Sequence, residues 1–169
     1  MELSSVPTDA QLTAWATQVA DDVQRHRLML VTAESCTGGW IAKVLTDLAG
    51  SSAWFDAGVV TYSYAAKESL LGVKRETLER TGAVSRETVL EMVSGALERF
   101  GAGVAVAVTG IAGPTGGTPD KPVGTVWIGW QQRGGDARAR LFHFAGDREA
   151  VRRQTVAQAL IGIREMLTD

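Results

Sequence analysis

Leu28-Met29-Leu30-Val31-Thr32-Ala33-Glu34-Ser35-Cys36-Thr37-Gly38-Gly39 runs from a short apolar stretch into a pair of glycines. Arg27 to Thr32 has the length and composition of a buried strand, and Gly38 to Leu48 reads as the helix after it, closed by Ala49-Gly50-Ser51-Ser52. A strand that empties into a glycine-bearing loop and then a helix is the repeating unit of an open α/β sheet. Upstream, Leu12, Trp15, Val19 and Val23 recur at helical spacing within Thr8 to Gln24, and Thr8 with Gln11 has capping-box form. Downstream, Trp54 to Ser63 contains Val59-Val60-Thr61-Tyr62, whose β-branched and aromatic side chains predict a strand.

Short helices are expected from Tyr64 to Leu71 and from Arg75 to Arg80. A longer one is capped by Ser85, with Val89, Met92, Val93, Ala96, Leu97 and Phe100 on one face. Gly103 to Thr109 is apolar throughout and reads as a central strand buried on both faces. Ile111 to Lys121, rich in Gly, Pro and Thr, is a loop. Pro122 to Gln132 and Arg138 to Phe144 form a hairpin about Arg133-Gly134-Gly135-Asp136, and Asp147 to Leu167 is the closing helix. The expected fold is α/β, a three-layer α/β/α sandwich whose central sheet is mixed because its last two strands are antiparallel. One domain is expected over residues 1–169, with its core at about residues 9–167.

Apolar residues make up 45% of the chain and charged residues 21%, the balance of a soluble globule. A formal charge of −2 gives no electrostatic case for nucleic acid. The single cysteine excludes an intrachain disulfide and fits a reducing compartment. Met1 to Pro7 lacks a basic segment leading into an apolar one, and no apolar run approaches the roughly 20 residues that span a bilayer. A cytoplasmic protein with no membrane partner is the expectation.

Chemistry is expected beyond the carboxyl ends of the strands. Ser35 lies there, before a helix start whose free N–H groups suit an oxyanion or phosphate, and Gly38 and Gly39 allow close approach. A plain helix cap with turn glycines reads equally well from these residues alone. A nucleophilic serine needs a base. His26 and His143 lie outside the glycine-rich loops, and so few His and Cys leave no zinc-ligand spacing. Lys67 falls in or just after the first turn of the helix that Ser63 would cap. There the helix dipole and partial burial would lower its pKa toward a neutral base. A solvated surface lysine is the alternative. Tyr62 is either a hydrogen-bonding partner of the pair or an ordinary strand aromatic. Thr109-Gly110-Ile111-Ala112-Gly113-Pro114-Thr115-Gly116-Gly117 resembles a phosphate loop without the Lys-Ser/Thr pair of a Walker motif. Arg148, Arg152 and Arg153 oppose the dipole of the last helix, which an anionic partner or salt bridges to Asp147 and Glu149 would explain. Cys36 is a rival nucleophile or a small packing residue.

Several ordered motifs then carry a resemblance: Thr32-Ala33-Glu34-Ser35-Cys36-Thr37-Gly38-Gly39, Gly50-Ser51-Ser52-Ala53-Trp54-Phe55, Val60-Thr61-Tyr62-Ser63, Gly82-Ala83-Val84-Ser85, Thr109-Gly110-Ile111-Ala112-Gly113-Pro114 and Lys121-Pro122-Val123-Gly124-Thr125-Val126. Together they resemble the CinA C-terminal domain family from about Leu12 to Leu167, and within it the stand-alone bacterial nicotinamide-nucleotide amidases. The resemblance implies hydrolysis of nicotinamide mononucleotide to nicotinate mononucleotide and ammonia in pyridine-nucleotide salvage. It places the family serine, lysine and tyrosine on Ser35, Lys67 and Tyr62, with no cofactor or metal, and it implies a homo-oligomer. Substrate contacts are expected from Glu34, Thr37, Gly38, Gly39, Thr109, Gly110, Ala112, Gly113 and Arg148. Of these, the N–H groups of Thr37 to Gly39 would hold the oxyanion, and the Thr109 to Gly113 loop with Arg148 the phosphate. Tyr64 stands where relatives are expected to have a polar residue such as Asn, which alters the pocket rim. Larger relatives carry an N-terminal domain related to molybdopterin-binding proteins; no such segment is seen in this sequence, and its activities are not expected here. The rival readings are a nucleotide-binding regulatory module associated with competence, and an amidase acting on the nucleoside or on free nicotinamide.

Overall fold

Leu30–Glu34 (β1), Phe55–Val60 (β2), Val104–Gly110 (β3), Thr125–Gln132 (β4) and Arg138–His143 (β5) form a single sheet in the order β2-β1-β3-β4-β5. The computed structural model describes residue 1 and residues 3–168; Glu2 and Asp169, part of the expected 1–169 domain, lie outside the described residues. β1 runs parallel to both β2 and β3, whereas β4 is antiparallel to β3 and to β5, so the sheet is mixed as expected. Asp9–Arg25 (α1), Trp40–Thr46 (α2) and Arg148–Thr168 (α6) cover one face. Tyr64–Leu71 (α3), Arg75–Thr81 (α4) and Arg86–Phe100 (α5) lie on the other.

Strand alternation divides the core between these two layers. Leu30, Val104, Val106, Val108, Val126 and Ile128 pack under α1, α2 and α6, while Val31, Ala33, Ala105 and Ala107 face α5. Full burial of side chains of the Val, Leu and Ile size contributes about 1.5–3 kcal/mol each, so the sheet centre is where the fold is held. The alanines on the second face let α5 sit close. Closer still is the crossing of α5 with α3, where a Cβ at Gly95 would stand 1.8 Å from the Leu71 carbonyl oxygen. Backbone-to-backbone contact there fixes α3, the helix that carries Lys67.

Several boundaries differ from those read off the sequence, each for a local reason. β1 begins at Leu30 rather than Arg27 because Arg27 has φ 56° and the Leu28 N–H returns to the Val23 carbonyl, so the chain is still closing α1. α2 begins at Trp40 rather than Gly38 because Gly38 and Gly39 have φ of 61° and 98°, which a right-handed helix does not accommodate. β4 begins at Thr125 because its N–H first closes a turn on the Pro122 carbonyl. The caps at Thr8, Ser63 and Ser85 are formed as expected. Among the described residues no helix is long and apolar enough to cross a membrane.

Candidate active site

Ser35 is the first residue beyond the carboxyl end of β1, and Lys67 is the fourth residue of α3, counted from its Ser63 cap. The strand order sets β1 beside β2, and the chain leaving β2 turns at Thr61 to Ser63 directly into α3. That path brings Lys67 back over the end of β1. Its Nζ stands 3.0 Å from Ser35 Oγ and donates to the Thr61 carbonyl oxygen at 2.6 Å. Lys67 is 1% exposed, with no carboxylate within ion-pair distance among the described residues. Burial lowers its pKa from 10.5 to about 8. Burial, one of the two expected causes, is the one that lowers it.

Ser35 and Lys67 open into a cavity of about 270 Å³. One wall is Thr109, Gly110, Ile111, Ala112 and Gly113 at the end of β3; Ala83 and Val84 form another, and Tyr62, Tyr64 and Arg148 stand at the mouth. Thr109 is buried, and its hydroxyl donates to the Ala83 carbonyl, which joins two of these walls. Arg148 donates to the Gly113 carbonyl oxygen (2.8 Å) and to the Tyr62 hydroxyl (3.0 Å). Thr109, Gly110, Ala112, Gly113 and Arg148, expected to contact substrate, therefore converge on the Ser35–Lys67 pair from two separate parts of the chain.

Others do not. Tyr62 is 60% exposed and its hydroxyl meets Arg148 rather than Ser35 or Lys67, which are in direct contact with each other. Glu34 is turned away from the cavity. Its carboxylate accepts from the Thr37 hydroxyl (2.6 Å) and from the N–H groups of Ile41 (2.9 Å) and Ala42 (3.0 Å), which makes it an anchor for the start of α2. Burial raises its pKa, while these hydrogen bonds, and one from the Gly39 N–H, act in the opposite direction. The Gly38 N–H donates to the Ser35 carbonyl. Thr37, Gly38 and Gly39 line a second cavity on the reverse side of the loop. Of the three N–H groups expected in the oxyanion site, that of Gly38 is thus engaged with the Ser35 carbonyl and that of Gly39 with Glu34. Cys36 lines the Ser35 cavity. Its thiol is no rival nucleophile, because burial pushes it up to about 12.

Sequence reasoning missed the Thr61 carbonyl, which takes one Lys67 N–H, and the Ala83–Val84 wall. Gly82-Ala83-Val84-Ser85 stood out only as a motif, since a backbone wall carries no functional side chain to notice. It also left Arg152 without a partner of its own; its guanidinium donates to the carbonyls of Cys36 and Thr37. Arg153 pairs with Asp9 and Glu149, so one of the three arginines follows the expected salt-bridge explanation.

The sequence profile of the CinA C-terminal domain matches residues 12–167. The chain is 52% identical over 153 residues to the nicotinamide-nucleotide amidohydrolase PncC of Escherichia coli strain K12, covering 90% of this chain and 93% of that one. It is 51% identical over 162 residues to the protein of the same name from Pseudomonas putida, covering 94% and 98%. Its fold is similar to the crystal structure of the competence/damage inducible protein CihA from Agrobacterium tumefaciens, with a TM-score of 0.91, 45% identity and full coverage of both chains.

Proposed function

This chain belongs to the CinA C-terminal domain family, and from that premise we propose that it hydrolyses the carboxamide of nicotinamide mononucleotide through Ser35 and Lys67. Half-identity to nicotinamide-nucleotide amidohydrolases along nine-tenths of its length makes it an amidase. The observation that carries the mechanism is the 3.0 Å separation of Lys67 Nζ from Ser35 Oγ inside a cavity.

In neutral Lys67 one N–H is held by the Thr61 carbonyl, which leaves the lone pair available to the serine hydroxyl. As Ser35 Oγ bonds to the amide carbon, its proton passes to Nζ. The carbonyl oxygen becomes an oxyanion, for which the Cys36 N–H, next to the nucleophile in sequence, is our candidate donor; one such donor is worth about 3 kcal/mol. Collapse breaks the C–N bond, and the Lys67 ammonium gives its proton to the leaving nitrogen, which departs as ammonia. Water, deprotonated by the again neutral lysine, then cleaves the acyl-enzyme to the carboxylate. In the cell this would return the pyridine nucleotide to salvage as the acid.

A lysine that acts as base must first lose its proton, so the activity rises with pH. With a pKa of about 8, only about a tenth of the enzyme carries neutral Lys67 at pH 7. kcat/KM should therefore climb about tenfold from pH 7 to a plateau above pH 9. A flat or falling profile over that interval would exclude Lys67 as the base.

The phosphate is assigned to Arg148, whose guanidinium stands at the cavity mouth with a carbonyl and a phenol as its only partners among the described residues. Ammonia release from nicotinamide mononucleotide, its riboside and free nicotinamide tests the substrate. The mononucleotide should be preferred, and Arg148→Ala should raise its KM at least about tenfold while leaving the riboside's KM unchanged, as expected for one charge-assisted contact to phosphate. Equal turnover of all three amides would defeat the nucleotide assignment, and an unchanged KM would defeat that of Arg148.

A further inference from the structure

Arg152 is held where a cation has little electrostatic reason to be. It lies near the start of α6 and has no carboxylate within ion-pair distance among the described residues, although its neighbour Arg153 has two. Its Nε donates to the Cys36 carbonyl oxygen and its Nη2 to that of Thr37, both at 3.1 Å, across more than a hundred residues of sequence. The guanidinium lies 5.3 Å from the centroid of the Trp40 ring, which supports its plane. These carbonyls belong to the Cys36–Thr37 and Thr37–Gly38 peptides, the second and third peptides after Ser35 in the nucleophile loop.

We infer that Arg152 is a positioning residue for the proposed reaction, holding the Cys36–Thr37–Gly38 backbone so that Ser35 and the adjacent amide donor keep their productive geometry. This rests on the Ser35–Lys67 reading above. The loop needs such a tie. Gly38 and Gly39 both have positive φ, and the Glu34 carboxylate holds the Thr37 hydroxyl and the start of α2 but not the Cys36 carbonyl, which is held by Arg152. Arg152 does this from behind. It lines a separate cavity of about 490 Å³, with Leu12, Thr13, Gly38, Trp40 and Lys43, and is absent from the walls of the Ser35 cavity. Its loss should therefore act on kcat and spare KM.

The second cavity opens to solvent, so a small guanidinium can be supplied to a variant that lacks the side chain. Ammonia release from nicotinamide mononucleotide is measured for Arg152→Ala, Arg152→Lys and Arg153→Ala, with Ser35→Ala in parallel. Arg152→Ala should lose about ten- to a hundredfold in kcat, the effect of displacing a reacting group by a fraction of an ångström to an ångström, with KM within twofold. Millimolar methylguanidinium should restore part of that kcat saturably, and methylammonium should restore less. Arg152→Lys, which keeps one donor for one carbonyl, should fall between wild type and Arg152→Ala and carries the measurement if the alanine variant does not fold. Arg153→Ala should stay within twofold in both constants.

The inference is overturned if folded Arg152→Ala keeps kcat within twofold. It is overturned equally by a rise in KM that accounts for the loss, or by a deficit that methylguanidinium leaves unchanged. Turnover retained by Ser35→Ala would be a different failure, that of the nucleophile itself, and shows in its own arm.

Discussion

Ser35→Ala is expected to lower kcat at least about a thousandfold, because without the hydroxyl no acyl-enzyme forms and only binding and donor effects remain. The fold should survive. Ser35 contributes one hydroxyl to the cavity, and after its removal Lys67 Nζ still donates to the Thr61 carbonyl. Melting of the variant within a few degrees of wild type, together with lost ammonia release, is the expected pair of observations. A folded alanine variant that still releases ammonia at the wild-type rate would mean that another group attacks the amide, and Cys36, with its thiol at about 12, is poorly suited to that task. Bound nucleotide with no turnover in the wild-type protein would instead favour the regulatory reading.

Lys67→Met should be as damaging to turnover, and it carries a second signature in stability. The pKa of Lys67 is lowered from 10.5 in the unfolded chain to about 8 in the fold. Below pH 8 the folded protein holds an ammonium that burial disfavours, and the unfolded chain binds that proton more tightly. Stability is therefore gained as pH rises through the interval from about 8 to 10.5. Methionine, of similar length and never charged, has no such dependence. The stability of wild type relative to Lys67→Met should thus shift in favour of wild type by about 2–3 kcal/mol between pH 7 and pH 10, from the pKa difference and 1.36 kcal/mol per unit. Chemical denaturation of both proteins at the two pH values measures it. A difference that does not move would place the ordinary lysine pKa in the folded protein and remove the argument for a neutral base.

These expectations draw on features of unequal visibility in the sequence. Ser63 and Ser85 announced their helices because a cap and its N–H partner lie three residues apart. Gly103 to Thr109 announced the central strand because both of its faces are buried. Such signals are carried by neighbours along the chain. Glu34 shows the opposite case. Its carboxylate was as plausible a ligand as an anchor until the direction of the side chain was known, and the choice is made by Ile41 and Ala42 in the next element. Tyr62 similarly reads as a partner of the lysine by proximity in sequence, yet Arg148, from the far end of the chain, takes its hydroxyl. The glycines invited a donor role, but the Gly38 N–H is taken by the Ser35 carbonyl and both glycines line a second cavity.

By itself, the sequence determined that an α/β sheet would carry Ser35 at the end of a strand and Lys67 on the fourth position of a capped helix, because hydrophobic period, caps and turns are local interactions. Its ordered motifs also determined the family. The tertiary structure decided what those residues can do. The order β2-β1-β3 and the close crossing of α3 and α5 set Lys67 Nζ at 3.0 Å from Ser35 Oγ. They also decide which arginine ties the nucleophile loop down. Those outcomes depend on groups separated by 32 to 116 residues, whose distance is fixed only when the sheet and its two helical layers pack.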